Sequence, residues 1–488
     1  MNGYPADRVA SGVDGLDVIL GGGLVSGCAY IVQGPPGAGK TVLANQICFN
    51  LACAGLRSAY VSLLSESHDR MLGHMSTLAF YDEAAVADTI SYISAFGALS
   101  ADGLPGLLRL IHTEARRRQA ALIVLDGLFV AGSAARDERE FRAFLHDLQG
   151  FASLSGCIVL ALTNHNENRS GPERTMVDGG IELLDELSGA QSVRTVIVKK
   201  QRGASHLRGR HQFRISDAGV KMFPRLETVL SRVPAGSETT DRVSTGIADF
   251  DRMTGGGYPL GSASLLAGPS GTGKTTMGLQ FLSQSTPDQP GLLFGFCETP
   301  ARIRTKARSI GIDIDALLAS GALKIIWHPP SENIADEVGH QLLDDVAARN
   351  VHRVFFDGIG ALRNALMFTE RLPGYLNAIN NDLRAAETTI VYSIELPTLF
   401  LPDHVMSQEL STMADNVVIS YYMRPSDDRR DGRRSRIVDR ELLILKIRDS
   451  AFDAYPELFH ITDKGVRFGR GEVTEQRPQT PDAAGESA

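Results

Sequence analysis

The sequence predicts an α/β protein made of two tandem copies of one domain, each a mainly parallel sheet with helices on both faces. Three observations predict it. A glycine-rich loop, Gly34-Pro35-Pro36-Gly37-Ala38-Gly39-Lys40-Thr41, lies between a β-prone run, Ala29 to Gln33, and a segment of helical pattern, Val42 to Leu51. The same loop returns as Gly268-Pro269-Ser270-Gly271-Thr272-Gly273-Lys274-Thr275, with Lys274 following Lys40 by 234 residues. In each copy short apolar runs alternate with helical stretches, as strands covered on both faces by helices require.

The remaining elements follow in parallel. Ser11-Gly12-Val13-Asp14-Gly15-Leu16-Asp17 and Gly21-Gly22-Gly23 precede the first loop; Thr245-Gly246-Ile247-Ala248-Asp249-Phe250-Asp251 and Gly255-Gly256-Gly257 precede the second. A long period that carries its motifs in register means duplication of a domain. After each loop helix comes a strand, Ala59 to Leu64 and Leu292 to Phe296, then a helical stretch with a basic face. A strongly apolar strand ending in Asp comes next, Ala121 to Asp126 and Arg353 to Asp357. Phe141, Phe144, Leu145 and Leu148, and then Leu376, Ile379 and Leu383, carry helical spacing. Further strands are expected at Cys157 to Leu162 and Thr389 to Ile394. The expected division is a first domain over 1–224, a linker over 225–242 containing Pro234-Ala235-Gly236-Ser237, a second domain over 243–470 and a disordered tail over 471–488.

Size and composition agree with this plan. A chain of 488 residues is enough for roughly two to three domains with cores of their own. Apolar residues make up 43% and charged residues 22%, ordinary for a globular protein. A net charge of −8 argues against a dedicated nucleic-acid binder. Neither a leader pattern nor an apolar run of bilayer-crossing length is present, so a cytoplasmic protein away from membranes is expected. The cysteines Cys28, Cys48, Cys53, Cys157 and Cys297 are odd in number and lack metal-ligand spacing. They read as reduced, mostly buried thiols.

The two loops match G-x-x-x-x-G-K-[ST], the phosphate-binding P-loop. Its glycines let successive backbone N–H groups point inward at phosphate oxygens, and the following helix adds the positive end of its dipole. Lys40 and Lys274 would reach the β- and γ-phosphates of a bound nucleotide, and the hydroxyls of Thr41 and Thr275 would ligate Mg²⁺. Asp126 and Asp357 lie 86 and 83 residues beyond those lysines, at the ends of buried strands. That is the place of a second Mg²⁺ ligand, although an Asp there also serves simply to cap a strand. Glu66 and Glu298, 26 and 24 residues past the lysines, close strands expected beside the P-loop strands. Each would orient or deprotonate water; the plain alternative is a solvated glutamate.

Together, the doubled P-loop, the Ser/Thr-Gly entry with its Gly-Gly-Gly and the strand-end Glu resemble the KaiC-like family of the RecA superfamily, over roughly residues 8 to 470. The resemblance implies RecA-like lobes, ATP with Mg²⁺ held at subunit interfaces, and a homo-hexamer of two stacked rings. The family carries a Glu-Glu pair at the strand end; this chain has Ser65-Glu66 and Cys297-Glu298. A Lys-x-Arg that reaches the neighbour's phosphates in the family is matched by Lys200-Gln201-Arg202 and Lys446-Ile447-Arg448, with Asp449 where Gly is usual. Ser411-Thr412 is similar to the adjacent Ser-Thr on which the family's best-known member phosphorylates itself; a helix cap is the other reading. Residues 424 to 440 are rich in Arg and read either as an arm for an acidic partner or as a solvated hairpin tip.

Three functions stand against one another. The first is a KaiC-like hexameric ATPase that signals to protein partners, with autophosphorylation as an added possibility. The second is a DNA-stimulated recombinase-like ATPase. The third is a scaffold that binds ATP without turnover.

Overall fold

A computed structural model describes residues 7–64, 68–164, 176–188, 191–230, 240–329, 333–398, 412–423, 439–448 and 450–469. The chain divides into two compact units, Met1–Ser231 and Arg232–Ala488. Glu66, Ser411, the 424–438 stretch, Asp449 and the expected tail over 471–488 lie outside the described residues.

The first unit runs β1 (Ala29–Gly34), α1 (Lys40–Cys53), β2 (Ser58–Ser62), α2 (His68–Met75), β3 (Ile90–Ser94), α3 (Phe96–Arg118), β4 (Leu122–Asp126), α4 (Glu138–Ser155), β5 (Ile158–Asn164), β6 (Gly179–Ser188), β7 (Gln191–Gln201), β8 (His211–Ser216) and β9 (Gly219–Phe223). The nine strands of its main sheet lie in the order β3-β2-β4-β5-β1-β6-β7-β8-β9. The pairings from β3 across to β6 are parallel. Those from β6 to β9 are antiparallel. Side-chain alternation sorts the strand residues onto two faces. Tyr30, Val32, Tyr60, Val124 and Leu160 pack with α1 residues Leu43, Ile47 and Phe49. Ile31, Val61, Ile123, Leu125 and Val159 pack with Leu107 and Ile111 of α3 and with Phe144, Leu145 and Leu148 of α4. A layer on each side is why β4 is buried along its whole length.

The second unit repeats the plan with β10 (Ala263–Gly268), α5 (Lys274–Leu282), β11 (Gly291–Gly295), α6 (Pro300–Ser309), β12 (Leu323–Trp327), α7 (Ala335–Arg349), β13 (Arg353–Asp357), α8 (Leu372–Ala385), β14 (Thr389–Glu395), β15 (Asn416–Tyr422), β16 (Arg440–Ile447), β17 (Glu457–Thr462) and β18 (Gly465–Phe468). The order β12-β11-β13-β14-β10-β15-β16-β17-β18 is the same topology. One face is aromatic: Phe294 stacks on Phe356 at 5.4 Å between centroids, and Phe356 meets Tyr392 at 5.6 Å. The tandem of mostly parallel sheets with helices fits two RecA-like α/β domains.

Several expectations need correction. The strands leading to Glu66 and Glu298 do not lie beside the P-loop strands. β2 and β11 stand three positions away, next to the Asp-bearing β4 and β13. Right-handed crossovers carry the chain past the intervening positions, which later strands fill. Those two strands also end early, at Ser62 and Gly295, because the chain then bends over the Asp: Leu63 N–H donates to the Asp126 carbonyl at 2.9 Å and Phe296 N–H to that of Asp357 at 3.2 Å. Cys53 and Cys297 are exposed and only Cys48 and Cys157 are buried, since the former two sit at a helix end and beyond a strand end. The expected linker has structured ends: Leu226 is buried in the first unit, and Arg242 pairs with Pro259 in the second.

Candidate functional site

Each unit builds its site at the carboxyl edge of the parallel strands, where strand order reverses around β1 or β10 and a crevice opens. The P-loop starts with a glycine because another strand presses on it. A Cβ on Gly34 would stand 2.3 Å from the Leu183 carbonyl oxygen, and one on Gly268 the same distance from that of Ser420. Both loops then enter a helix through a left-handed glycine, Gly39 or Gly273, with no side-chain cap. By contrast, α4 is capped by Asp137, which accepts from Glu140 N–H at 2.8 Å. The first N–H groups of α1 and α5 are therefore left for an anion.

Lys40 Nζ donates to the carbonyls of Gly34 and Pro35 at 2.7 and 2.9 Å, and Lys274 Nζ to those of Gly268 and Pro269 at 2.7 and 2.8 Å. Each ammonium thus lies folded over its own loop. Burial lowers the pKa of both; Asp126 opposes this at Lys40, and Glu395 with Asp357 at Lys274. The expected partners Pro36, Gly37, Ala38, Ser270, Gly271 and Thr272 complete the two loops. Thr272 is fully buried and donates to the Pro269 carbonyl, while Ser420 donates to Thr272.

The two carboxylates are held differently. Asp126 Oδ2 accepts from the Tyr60 hydroxyl at 2.6 Å, deep in the sheet. Burial, then the charge of Asp126, drives the Tyr60 hydroxyl well above its usual pKa, so it stays a donor. Asp357 accepts from Ser393 at 2.5 Å and from Thr275 at 3.3 Å. Burial raises the Asp357 pKa, and the Ser393 hydrogen bond works against that. Glu298 follows β11, half-buried, its Oε1 2.5 Å from Lys306 Nζ on α6. At the end of β14, exposed Glu395 stands in register with Gly268.

A nucleotide triphosphate with Mg²⁺ fits these residues. The loops offer uncapped N–H groups and an ammonium, and the Thr41–Asp126 and Thr275–Asp357 pairs offer hard oxygen donors. Mg²⁺ keeps most of its waters and takes one or two protein oxygens plus phosphates. Among the described residues no cluster of three or more His, Cys, Asp or Glu could form a closed metal cage.

Lys200, Arg202, Lys446 and Arg448 are not part of their own unit's crevice. β7 runs antiparallel to β6, and Lys200 is paired with Gly180 at the amino edge of the parallel strands. Gly180 pairs with Ile31, three residues before Gly34, or roughly 10 Å of strand. Lys200 Nζ donates to the Val177 carbonyl, and Lys446 Nζ to that of Ala414 at 3.1 Å. Arg202 lies 3.6 Å from Asp178, and Arg448 2.8 Å from Asp415. These aspartates are buried and also accept the Ala29 and Ala263 N–H groups. Exposed Thr412 precedes Asp415 by three residues at this same edge.

Sequence reasoning missed Tyr60, Ser393, Lys306, Glu395 and the equivalent aspartates Asp178 and Asp415 of the two units. Tyr60 had a signal, since a tyrosine within an apolar strand needs a partner for its hydroxyl. Lys306 was present only as part of a basic helical face. Among the described residues no helix is long and apolar enough to cross a membrane.

The family model described as "ATPase: KaiC" matches residues 9–227 and again 243–473. The circadian clock oscillator protein KaiC of Parathermosynechococcus lividus is 23% identical over 483 residues, 96% of this chain and 86% of that protein. The circadian clock protein KaiC3 of Synechocystis sp. is 22% identical over 485 residues, 95% and 92% of the two chains. For the circadian clock oscillator protein KaiC of Synechococcus elongatus the figures are 23% over 468 residues, 93% and 87%. With both halves matched and the same loop, carboxylate and strand order in each unit, this chain belongs to the KaiC family of ATPases.

Proposed function

We propose that the protein is a two-site, Mg²⁺-dependent ATPase that works in the cytoplasm as a homo-hexamer, using slow hydrolysis as a conformational signal to protein partners. Lys40, Thr41, Asp126 and Glu66 serve the first site; Lys274, Thr275, Asp357 and Glu298 serve the second. Lys200 and Arg202, and Lys446 and Arg448, complete the corresponding sites of a neighbouring protomer. The observation that carries this reading is the division of each unit between two edges: phosphate-binding groups on one, the Lys-x-Arg on the other. A cation roughly 10 Å of strand away from its own loop, at the opposite edge, is placed to serve a site in another copy rather than its own. Repeating that head-to-tail contact with a rotation of one sixth of a turn would close the hexameric ring. A cation supplied in trans offsets charge that spreads over the γ-phosphoryl group in the transition state. Thr41 with Asp126, and Thr275 with Asp357, would hold Mg²⁺, which would neutralise part of that charge.

Turnover of Mg·ATP by the purified chain tests this. Lys40→Ala together with Lys274→Ala is expected to abolish phosphate release; unchanged release refutes the assignment. A net charge of −8 speaks against DNA as the stimulus.

A second activity, transfer of the γ-phosphoryl group to Ser411 or Thr412, is favoured by the position of exposed Thr412 beside the Lys446 anchor at Ala414. The hydroxyl oxygen would bond to phosphorus as the β–γ bridge breaks, with ADP leaving and the proton passing to a base. Cys297 stands where a paired acid would take that proton; partial desolvation and the charges of Asp357, Glu395 and Glu298 raise the pKa of this surface thiol, so transfer is expected to be slow. Intact mass after incubation with Mg·ATP reads it directly.

A further inference from the structure

We propose that Lys306 is a built-in restraint on the second site, a positioning residue that holds Glu298 in an ion pair which each turnover has to break before the carboxylate can take a proton. The inference rests on the ATPase reading above and adds a regulator to it.

The geometry starts with α6. Thr299-Pro300 opens the helix, with proline at a first-turn position that suits it, immediately after Glu298. Ile303, Ala307 and Ile310 are buried and fix which face of α6 lies against the sheet. Lys306 flanks Ala307, and long helical side chains lean toward the N-terminus. Its stem therefore runs back along the helix and brings Nζ to Glu298 Oε1 at 2.5 Å. The neighbouring cations are engaged elsewhere: Arg304 and Arg308 both pair with Asp315. Lys306 and Glu298 are only 34% and 21% exposed, so the pair is partly shielded from water. The charge of the same ammonium also weighs on Asp357 and Lys274, lowering the pKa of each.

A carboxylate whose oxygen is taken by an ammonium is a poor acceptor for the proton of an attacking water. The γ-phosphate of a bound triphosphate carries more negative charge than a single carboxylate and competes for the ammonium. Once Lys306 moves to it, Glu298 accepts the water proton. The water oxygen then bonds to the γ-phosphorus, the bond to the β-phosphate oxygen breaks, and ADP and phosphate leave. The first unit has His74 eight residues after Glu66, where the second has Lys306 eight after Glu298, and His74 is exposed.

The test uses the full-length chain, with second-site turnover taken as the rate lost in Lys274→Ala. Lys306→Met keeps the stem and removes the charge; it is expected to raise second-site kcat by about tenfold, within what general-base catalysis supplies, with KM changed less than about twofold. Lys306→Arg keeps a cation within reach and is expected to keep the low rate. In a Glu298→Gln background Lys306→Met is expected to give no acceleration, because the group it unmasks is gone. An unchanged or lower kcat for Lys306→Met overturns the proposal, as does acceleration that persists with Glu298→Gln. Binding of Mg·ATP to the unsubstituted and Lys40→Ala chains separates the two levels: no binding to either overturns the ATPase reading and the restraint together, whereas binding to Lys40→Ala without a Lys306 effect overturns the restraint alone.

Discussion

At the scale of single residues, the two units keep one carboxylate by different means. Tyr60 supports Asp126, while Ser393 and Thr275 support Asp357. Asp357 is buried and its pKa is raised, chiefly by desolvation. The folded unit then holds this proton more tightly than the unfolded chain does. The stabilisation is full below the ordinary carboxylate range and is lost as pH rises through the raised value. At neutral pH the charged carboxylate is a cost in the nucleotide-free unit. Asp357→Asn keeps the size and a hydrogen-bonding group, so it is expected to raise the melting temperature of the second unit without nucleotide. The same change is expected to remove the stabilisation by Mg·ATP, which for the native residue amounts to about 2.7 kcal/mol at a hundredfold excess over Kd. Scanning calorimetry with and without Mg·ATP checks both signs; a lower melting temperature for the nucleotide-free variant would mean that the Ser393 and Thr275 bonds outweigh the desolvation.

At the scale of elements, helix α5 is fitted to the sheet through Gly278, which faces Phe355 in the middle of β13. A Cβ there would stand 2.3 Å from the ring carbon Cζ of Phe355. Alanine is the better helix former by up to about 1 kcal/mol. Overpacking costs about 1–3 kcal/mol, and Phe355 is fully buried with nowhere to retreat. Gly278→Ala is therefore expected to lower the stability of the second unit, and Phe355→Leu in that background to restore part of it; denaturant titration reads both. This fit also marks where sequence reading stops. The strands were legible because two covered faces force apolar runs such as Leu122–Asp126, and α4 because its buried residues repeat at helical spacing. Strand order was not legible, because a crossover helix specifies handedness and not how many positions it skips. For that reason Glu298 was expected beside the P-loop strand and lies beyond β13 and β14 instead. The P-loops were legible as contiguous motifs. The Tyr60 and Ser393 supports and the Lys306 pair join residues far apart in the chain or two helical turns along it, and no local spacing announces them.

At the scale of the whole molecule, the separation of phosphate-binding and cationic edges makes a stricter demand than activity of any one variant. Chains with Lys40→Ala and Lys274→Ala lose both loops but keep Lys200, Arg202, Lys446 and Arg448. Chains with those four cations changed to Ala keep both loops but have nothing to offer a neighbour. The four cations sit on carbonyls and aspartates at the amino edge, so their removal leaves the loops and the Asp126 and Asp357 supports in place. A cation delivered in trans is worth about 10³–10⁵ in kcat where it has been measured in this class of chemistry, so each variant alone is expected to be nearly silent. Mixed and allowed to exchange subunits, the two populations create interfaces at which an intact loop meets intact cations. Phosphate release should then rise well above the sum of the separate rates, and most steeply near equal proportions. If exchange is verified by differential labelling and the mixture stays silent, the Lys-x-Arg segments do not complete a neighbour's site and the ring assembled around them falls.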